Sequence, residues 1–443
     1  KILSTVLLLL LLFLLPLFHT MNFVSGSAYV NNPFRIFPKT ILIPSNCEES
    51  SLDNQSETGQ DIVEMVDTIM KENSIYLERD ECSNLWATKS RSSAKITKLT
   101  GGITNILYLV TPIVQEVVDS MVETEGSVII RIYGAGTADI IDRNVENLVF
   151  AQLSQSNFGP TFYGLFENGR VEGYIHNSRG VSPLELADNN IYPLIAKSLV
   201  QLHMIHMAQL CNNSTHTEAW LWRKISLFID SVVDSYSELK DLRSKHVQLG
   251  VDLDVIQSEY SWLKTNIESS STSSEIHDNK GVIFGYDSVL CHNDLLAGNI
   301  LLARKENNGL MEDRAVIIDY EYCMYNYRAY DIANHFCEYC GFDFDLKLFP
   351  DELKRKSFLT AYINEYATQV SDEVAKELKT IEFLNEFERT VCKFVLASHL
   401  FWGSWAVYQS LHSSIDFDYF EYAKKRFATY FHHKDIFSGL FTA

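Results

Sequence analysis

The sequence predicts an α+β fold in two lobes, a small β-rich N-terminal lobe and a larger helical C-terminal lobe. Its 443 residues are too many for one ordinary core and enough for two lobes with a cleft between them. Strand patterns and glycine turns gather between 95 and 175, and helical periodicity dominates most of the remainder. The third observation is a pair of polar motifs inside the second half. His292-Asn-Asp-Leu-Leu-Ala-Gly-Asn299 is followed by the β-branched run Ala315-Val-Ile-Ile that ends in Asp319, and the rest of the chain reads as support for this pair.

Composition excludes several classes. Hydrophobic residues at 46% and aromatics at 12% are enough to offset the entropy of ordering a chain, so the protein is globular. A formal charge of −20 disfavours nonspecific nucleic-acid binding and attraction to anionic membranes. That sign suits a small cationic substrate as well as simple solubility. Eight cysteines lie scattered, without the dense spacing of a disulfide framework, and read as reduced thiols. Cys337-Glu-Tyr-Cys340 has no second pair and reads as one turn of helix.

Taken in order, residues 1–20 carry the apolar run Ile2 to Phe18, which resembles a signal or anchor segment. Met21 is an alternative initiator, and residues 21–60 read as a mobile leader. Residues 61–175 are expected to form the first lobe, beginning with an amphipathic helix through Ile62, Val66 and Ile69. Strand, glycine turn and strand follow from Lys95 to Val110. There Gly101 and Gly102 permit close backbone approach, and the Thr104 and Asn105 side chains can cradle phosphate oxygens. Arg131 interrupts the β-branched strand Ser127 to Tyr133 and is expected to meet an anion, with Glu146 on the next helix as its partner. A hairpin from Phe158 to Ile175 leads to a hinge where adenine would stack.

The second lobe is expected over 176–443. His203 and His206 lie three apart on one helical face without a third ligand nearby, and read as core or interface histidines. In the central motif Asp294 and Asn299 stand in the H-x-D-x-x-x-x-N spacing of a phosphotransferase loop. An aspartate there receives the substrate's hydroxyl proton and an asparagine helps to hold magnesium. The hairpin between the two motifs sets Asn299 and Asp319 at neighbouring strand ends, as two metal ligands require. Trp402 and Trp405 share a helical face, and aromatic rings beside a carboxylate can cage an organic cation as readily as they fill a core.

From about Lys95 onward the chain resembles the choline/ethanolamine kinases. The residues that carry the resemblance are His292 to Asn299, Ile318-Asp-Tyr-Glu-Tyr322, Tyr325 to Glu338, and Ser398-His-Leu-Phe-Trp-Gly-Ser-Trp405. The resemblance implies a protein-kinase-like fold and ATP with Mg2+, used to phosphorylate an amino alcohol in phospholipid headgroup synthesis. It implies Asp294 as catalytic base, Asn299 and Asp319 as metal ligands, Gly101 to Asn105 and Arg131 as phosphate contacts, and Tyr322, Glu338, Trp402, Trp405 and Tyr422 as the ammonium pocket. Leu295-Leu296 is similar to the ethanolamine branch, with choline as the alternative substrate. The expected location is cytoplasmic, membrane anchoring through residues 2–18 being the alternative, and a homodimer is left open.

Overall fold

β-Branched and aromatic residues stiff at χ1 build the first sheet of the computed structural model. The structure describes residues 36–37, 51–52, 57–76, 86, 94–99, 105–112, 126–134, 141–207, 210, 219–238, 252–270, 283–307, 310–413, 415 and 417–441. The apolar run 2–18 lies outside them, as do Gly101, Gly102 and Thr104.

Helix α1 (Glu57–Tyr76) precedes β1 (Ala94–Leu99), β2 (Asn105–Pro112) and β3 (Val128–Tyr133); β4 (Phe162–Phe166) and β5 (Gly169–Gly173) complete an antiparallel sheet ordered β4-β5-β3-β2-β1. Ser51–Leu52 pairs along β1. Alternation along β3 sends Val128, Ile130 and Ile132 to one face, in a cluster with Ile62, Val66 and Ile69 of α1. The opposite face carries Arg131. It stands directly across from Arg170 of β5, so two guanidiniums share one side of the sheet. Helix α2 (Arg143–Gln155) is capped by Asp142, whose carboxylate accepts from the amides of Asn144 and Val145. Its Val149, Phe150 and Leu153 belong to the larger cluster that runs on to Phe437.

Beyond it the chain is mostly helical. Helices α3 (Tyr192–Met204), α4 (Trp220–Glu238) and α5 (Leu253–Ser270) precede two antiparallel ladders. Short β6 (Ser178–Gly180) edges the pair β8 (Ile300–Asn307) and β9 (Leu310–Ile317), while β7 (Ser288–Cys291) pairs with β10 (Met324–Tyr327). Helices α6 (Arg328–Glu338), α7 (Glu352–Tyr366), α8 (Asp372–Leu378), α9 (Ile381–His412) and α10 (Tyr419–Phe437) follow. An N-terminal antiparallel sheet and a helical C-terminal part are the α+β architecture expected from the sequence. Among the described residues no helix is long and apolar enough to cross a membrane.

Helices α9 and α10 approach closely at Gly403, where an added Cβ would stand 2.8 Å from the Phe427 ring. Both residues are buried, so neither can yield into solvent. Gly403→Val is expected to destabilise the fold by about 1–3 kcal/mol, read as a lowered Tm; an unchanged Tm would show that the helices can separate without cost.

Candidate active site

Strand β7 delivers His292, Asn293 and Asp294 to the end of the β7–β10 ladder, where α6 holds them. Asp331 on α6 accepts hydrogen bonds from the backbone amides of His292 at 2.8 Å and Asn293 at 2.7 Å. The same carboxylate lies 3.0 Å from His203 Nε2, and His203 Nδ1 lies 2.6 Å from the Tyr362 hydroxyl. Burial alone would raise the Asp331 carboxyl, but the hydrogen bond from His203, its proximity and the loop amides outweigh it and hold it below the ordinary range. His203 is thus a core histidine tied to the loop anchor. Asn293 adopts a φ of 65°, a left-handed conformation that asparagine tolerates better than most residues, and its side chain donates to the Tyr322 carbonyl at 2.8 Å. His292 Nε2 reaches the Ile318 carbonyl at 3.0 Å, joining the two motifs.

The register of β8 and β9 explains how residues twenty positions apart meet. Ile300 pairs with Ile317, so Asn299 and Asp319 fall at the same end of the ladder, and Ile318 N donates to the Asn299 carbonyl at 3.0 Å. Asn299 Nδ2 donates to the Asp294 carbonyl at 2.9 Å and to its Oδ2 at 3.3 Å. Asp319 has a φ of 65°, an uncommon conformation for a residue with a Cβ. Its Oδ1 is buried without a hydrogen-bond donor. An amide oxygen and a carboxylate oxygen that takes no hydrogen bond and meets only the Arg131 charge at 3.6 Å stand at one strand end, a hard oxygen donor set that suits Mg2+. Asp294 sits behind them. Burial, then the charges of Glu338, Glu321 and Asp319, push its carboxyl well above the ordinary range against the opposing pull of Arg426.

Arg131 and Glu146 do not form the pair expected from the sequence. Arg131 hydrogen-bonds Glu172 at 3.2 and 3.3 Å, with its Nη1 3.6 Å from Asp319 Oδ1. Glu146 is instead held by Arg170 and Arg143, each at 2.6 Å. The cause is the strand register, which sets Arg170 across from Arg131 and places Glu172 two residues along on the same face. Burial would raise Glu146, but Arg170, Arg143 and Arg131 outweigh it and hold its carboxyl at about 2. Asn105 stands at the head of β2, accepting from Arg143 at 3.1 Å and lying 3.5 Å from Glu321.

The remaining expected residues meet beside Asp294. Tyr322 and Trp402 are edge to face with centroids 5.3 Å apart, Trp402 and Trp405 5.2 Å, and Trp405 and Tyr422 6.4 Å. Glu338 is close enough for its charge to act on Asp294. One Glu338 oxygen is held by Arg426, which also donates to the Tyr422 hydroxyl at 2.7 and 3.0 Å. Among the described residues the other Glu338 oxygen takes no hydrogen bond.

Sequence reasoning missed Arg426, Asp331, Asn334 and Glu321. Arg426 was detectable as a cation four residues after Tyr422, on a face shared with Ala423, Phe427 and Tyr430. Asn334 accepts from both Ser398 and Trp402 at 2.8 Å, a junction that only the packing of α6 on α9 creates.

Comparisons with known proteins give the family of the chain as a whole. The profile of the family described as choline/ethanolamine kinase matches residues 96–431. The chain belongs to this family. Probable ethanolamine kinase A of Dictyostelium discoideum is 33% identical over 351 residues, 78% of this chain and 87% of that protein. Probable choline kinase 3 of Arabidopsis thaliana is also 33% identical, over 68% of this chain and 77% of its own length. The structure of a Plasmodium vivax ethanolamine kinase superposes with a TM-score of 0.63 at 25% identity, covering 86% of this chain and 90% of that one. As a choline/ethanolamine kinase, the protein is a phosphotransferase with an alcohol acceptor.

Proposed function

We propose that the enzyme transfers the γ-phosphoryl group of ATP to ethanolamine, giving phosphoethanolamine and ADP in the first step of headgroup synthesis. The observation that carries the ethanolamine reading is the open Glu338 oxygen beside Asp294, inside the aromatic pocket. A primary ammonium has three donors and needs acceptors, whereas a trimethylammonium needs only aromatic faces. Leu296, partly exposed after the catalytic aspartate, supports the same branch, while Leu295 is buried in the core.

In this mechanism the pocket rings and Glu338 hold the ammonium end, so that the hydroxyl reaches Asp294. Asp294 takes the hydroxyl proton as the new O–P bond forms and the bond to ADP breaks. Arg131, fixed by Glu172, meets a phosphate oxygen. Asn299 and Asp319 would hold Mg2+, which supplies charge neutralisation of the phosphates. ATP as the phosphoryl donor supports a cytosolic location.

The four rings Tyr322, Trp402, Trp405 and Tyr422 favour choline as the second reading. ATP consumption with the two alcohols at equal concentration separates them. Ethanolamine is expected to give the higher kcat/KM, and a preference for choline of about tenfold, a differential of about 1.4 kcal/mol, would overturn the assignment.

A further inference from the structure

The stretch Ser398 to Trp405 uses Ser398 and Trp402 to hold Asn334, and Trp405 to line the pocket, which leaves His399 without a part. His399 is 1% exposed, and its two ring nitrogens face opposite ways. Nδ1 lies 3.4 Å from Arg426 Nη1, and Nε2 lies 3.0 Å from Nδ1 of His433. The two imidazoles are stacked, with centroids 5.1 Å apart and planes 27° from parallel. Cys337 Sγ is a further polar neighbour, 3.6 Å from Nε2.

A guanidinium only donates, so Nδ1 of His399 must carry a lone pair toward Arg426. Its proton is then on Nε2 and is donated to His433 Nδ1, which fixes that ring's proton on Nε2 in turn. Both rings are therefore neutral. Their surroundings favour that state: burial, then His433 and Arg426, push the His399 imidazole well below its ordinary range, and burial, His432 and Arg355 bring His433 to about 4.

The consequence lies at the other end of Arg426. Its Nε and Nη2 hold Tyr422 and Glu338, and among the described residues Nη1 is held by His399. We propose that His399, backed by His433, is a positioning residue that fixes the Arg426 fork and through it the placement of Glu338 and Tyr422 in the ammonium subsite. This rests on the reading of that subsite given under Proposed function.

Removing a hydrogen bond to a charged group costs enough for His399→Leu to raise the KM for ethanolamine about tenfold. The KM for ATP and the kcat at saturating alcohol should stay unchanged. His399→Asn, whose amide oxygen falls near the place of Nδ1, should recover most of the KM. In an Arg426→Met background, His399→Leu should add nothing further. Equal damage from Leu and Asn, a loss of kcat and Tm without a change in KM, or an additive rise in the double variant would overturn the proposal. A wild-type enzyme that phosphorylates neither alcohol overturns the reading of the site and this proposal with it. Wild-type turnover with an unchanged KM in His399→Leu overturns the proposal alone.

Discussion

Asp294→Asn is expected to lower kcat by about 10³-fold, within the 10²–10⁴ range of a lost general base, while nucleotide affinity is retained. The substitution keeps the shape of the side chain and removes only its capacity to take a proton. Asn299, the nearest group, donates to the Asp294 main-chain carbonyl as well as to the carboxylate, so the loop keeps its geometry. The same variant should be more stable than wild type at neutral pH in the absence of metal. The Asp294 carboxyl is pushed well above its ordinary range by burial and by Glu338, Glu321 and Asp319. Its unfolded value is about 4. Above that pH the ionised group costs folding free energy, and the cost grows until the folded value is reached; below it the cost vanishes. The gain in Tm should therefore appear at pH 7 and disappear near pH 4. Retained turnover would remove Asp294 from the base role, and a lowered Tm at pH 7 would show that its charge is compensated. Activity and stability oppose each other at this residue, as expected of a working site.

Asp331→Ala should damage both the fold and the rate. It strips the acceptor from two buried backbone amides and from His203, three donors that among the described residues have no other partner for the same proton. Leaving such groups unpaired in the interior costs about 3–5 kcal/mol. The carboxyl is held below its ordinary range, so its contribution is present above the unfolded value of about 4 and is lost as pH falls through the folded value. The Tm difference from wild type should therefore shrink on acidification below about pH 4. With the loop amides released, Asp294 is no longer fixed against the hydroxyl, and a displacement of about 1 Å is enough to lose roughly 10²-fold in rate. Near-normal kcat and Tm in Asp331→Ala would show that the Asn293 contacts with Tyr322 and Asn326 hold the loop without it.

These two aspartates also mark how far the sequence could be read. Asp294 was visible because its partners lie five residues away in one spacing, and Asp319 because a short hairpin fixes which strand ends adjoin. Asp331 falls within Tyr325 to Glu338, which carries the family resemblance, but its role is not legible there, since its partners are backbone amides 38 and 39 positions away, and a backbone amide leaves no mark in a residue pattern. Arg131 shows the same limit from the other side. Its strand and its anionic surroundings were legible. Its partner was not, because choosing Glu172 over Glu146 depends on β5 lying beside β3 with Arg170 in register.

The sequence by itself determined the two polar motifs, the order of sheet before helices, and the helical face that Trp402 shares with Trp405. Local spacing and side-chain periodicity are sufficient for these, because they involve neighbours along the chain or one face of one element. The tertiary structure alone decided which charges pair. It exchanged the partners of Arg131 and Glu146, set Arg426 on Glu338, and placed His399 and His433 behind it. Buried charges take the nearest opposite charge that the packing supplies, and packing distance is a property of the fold and not of the chain.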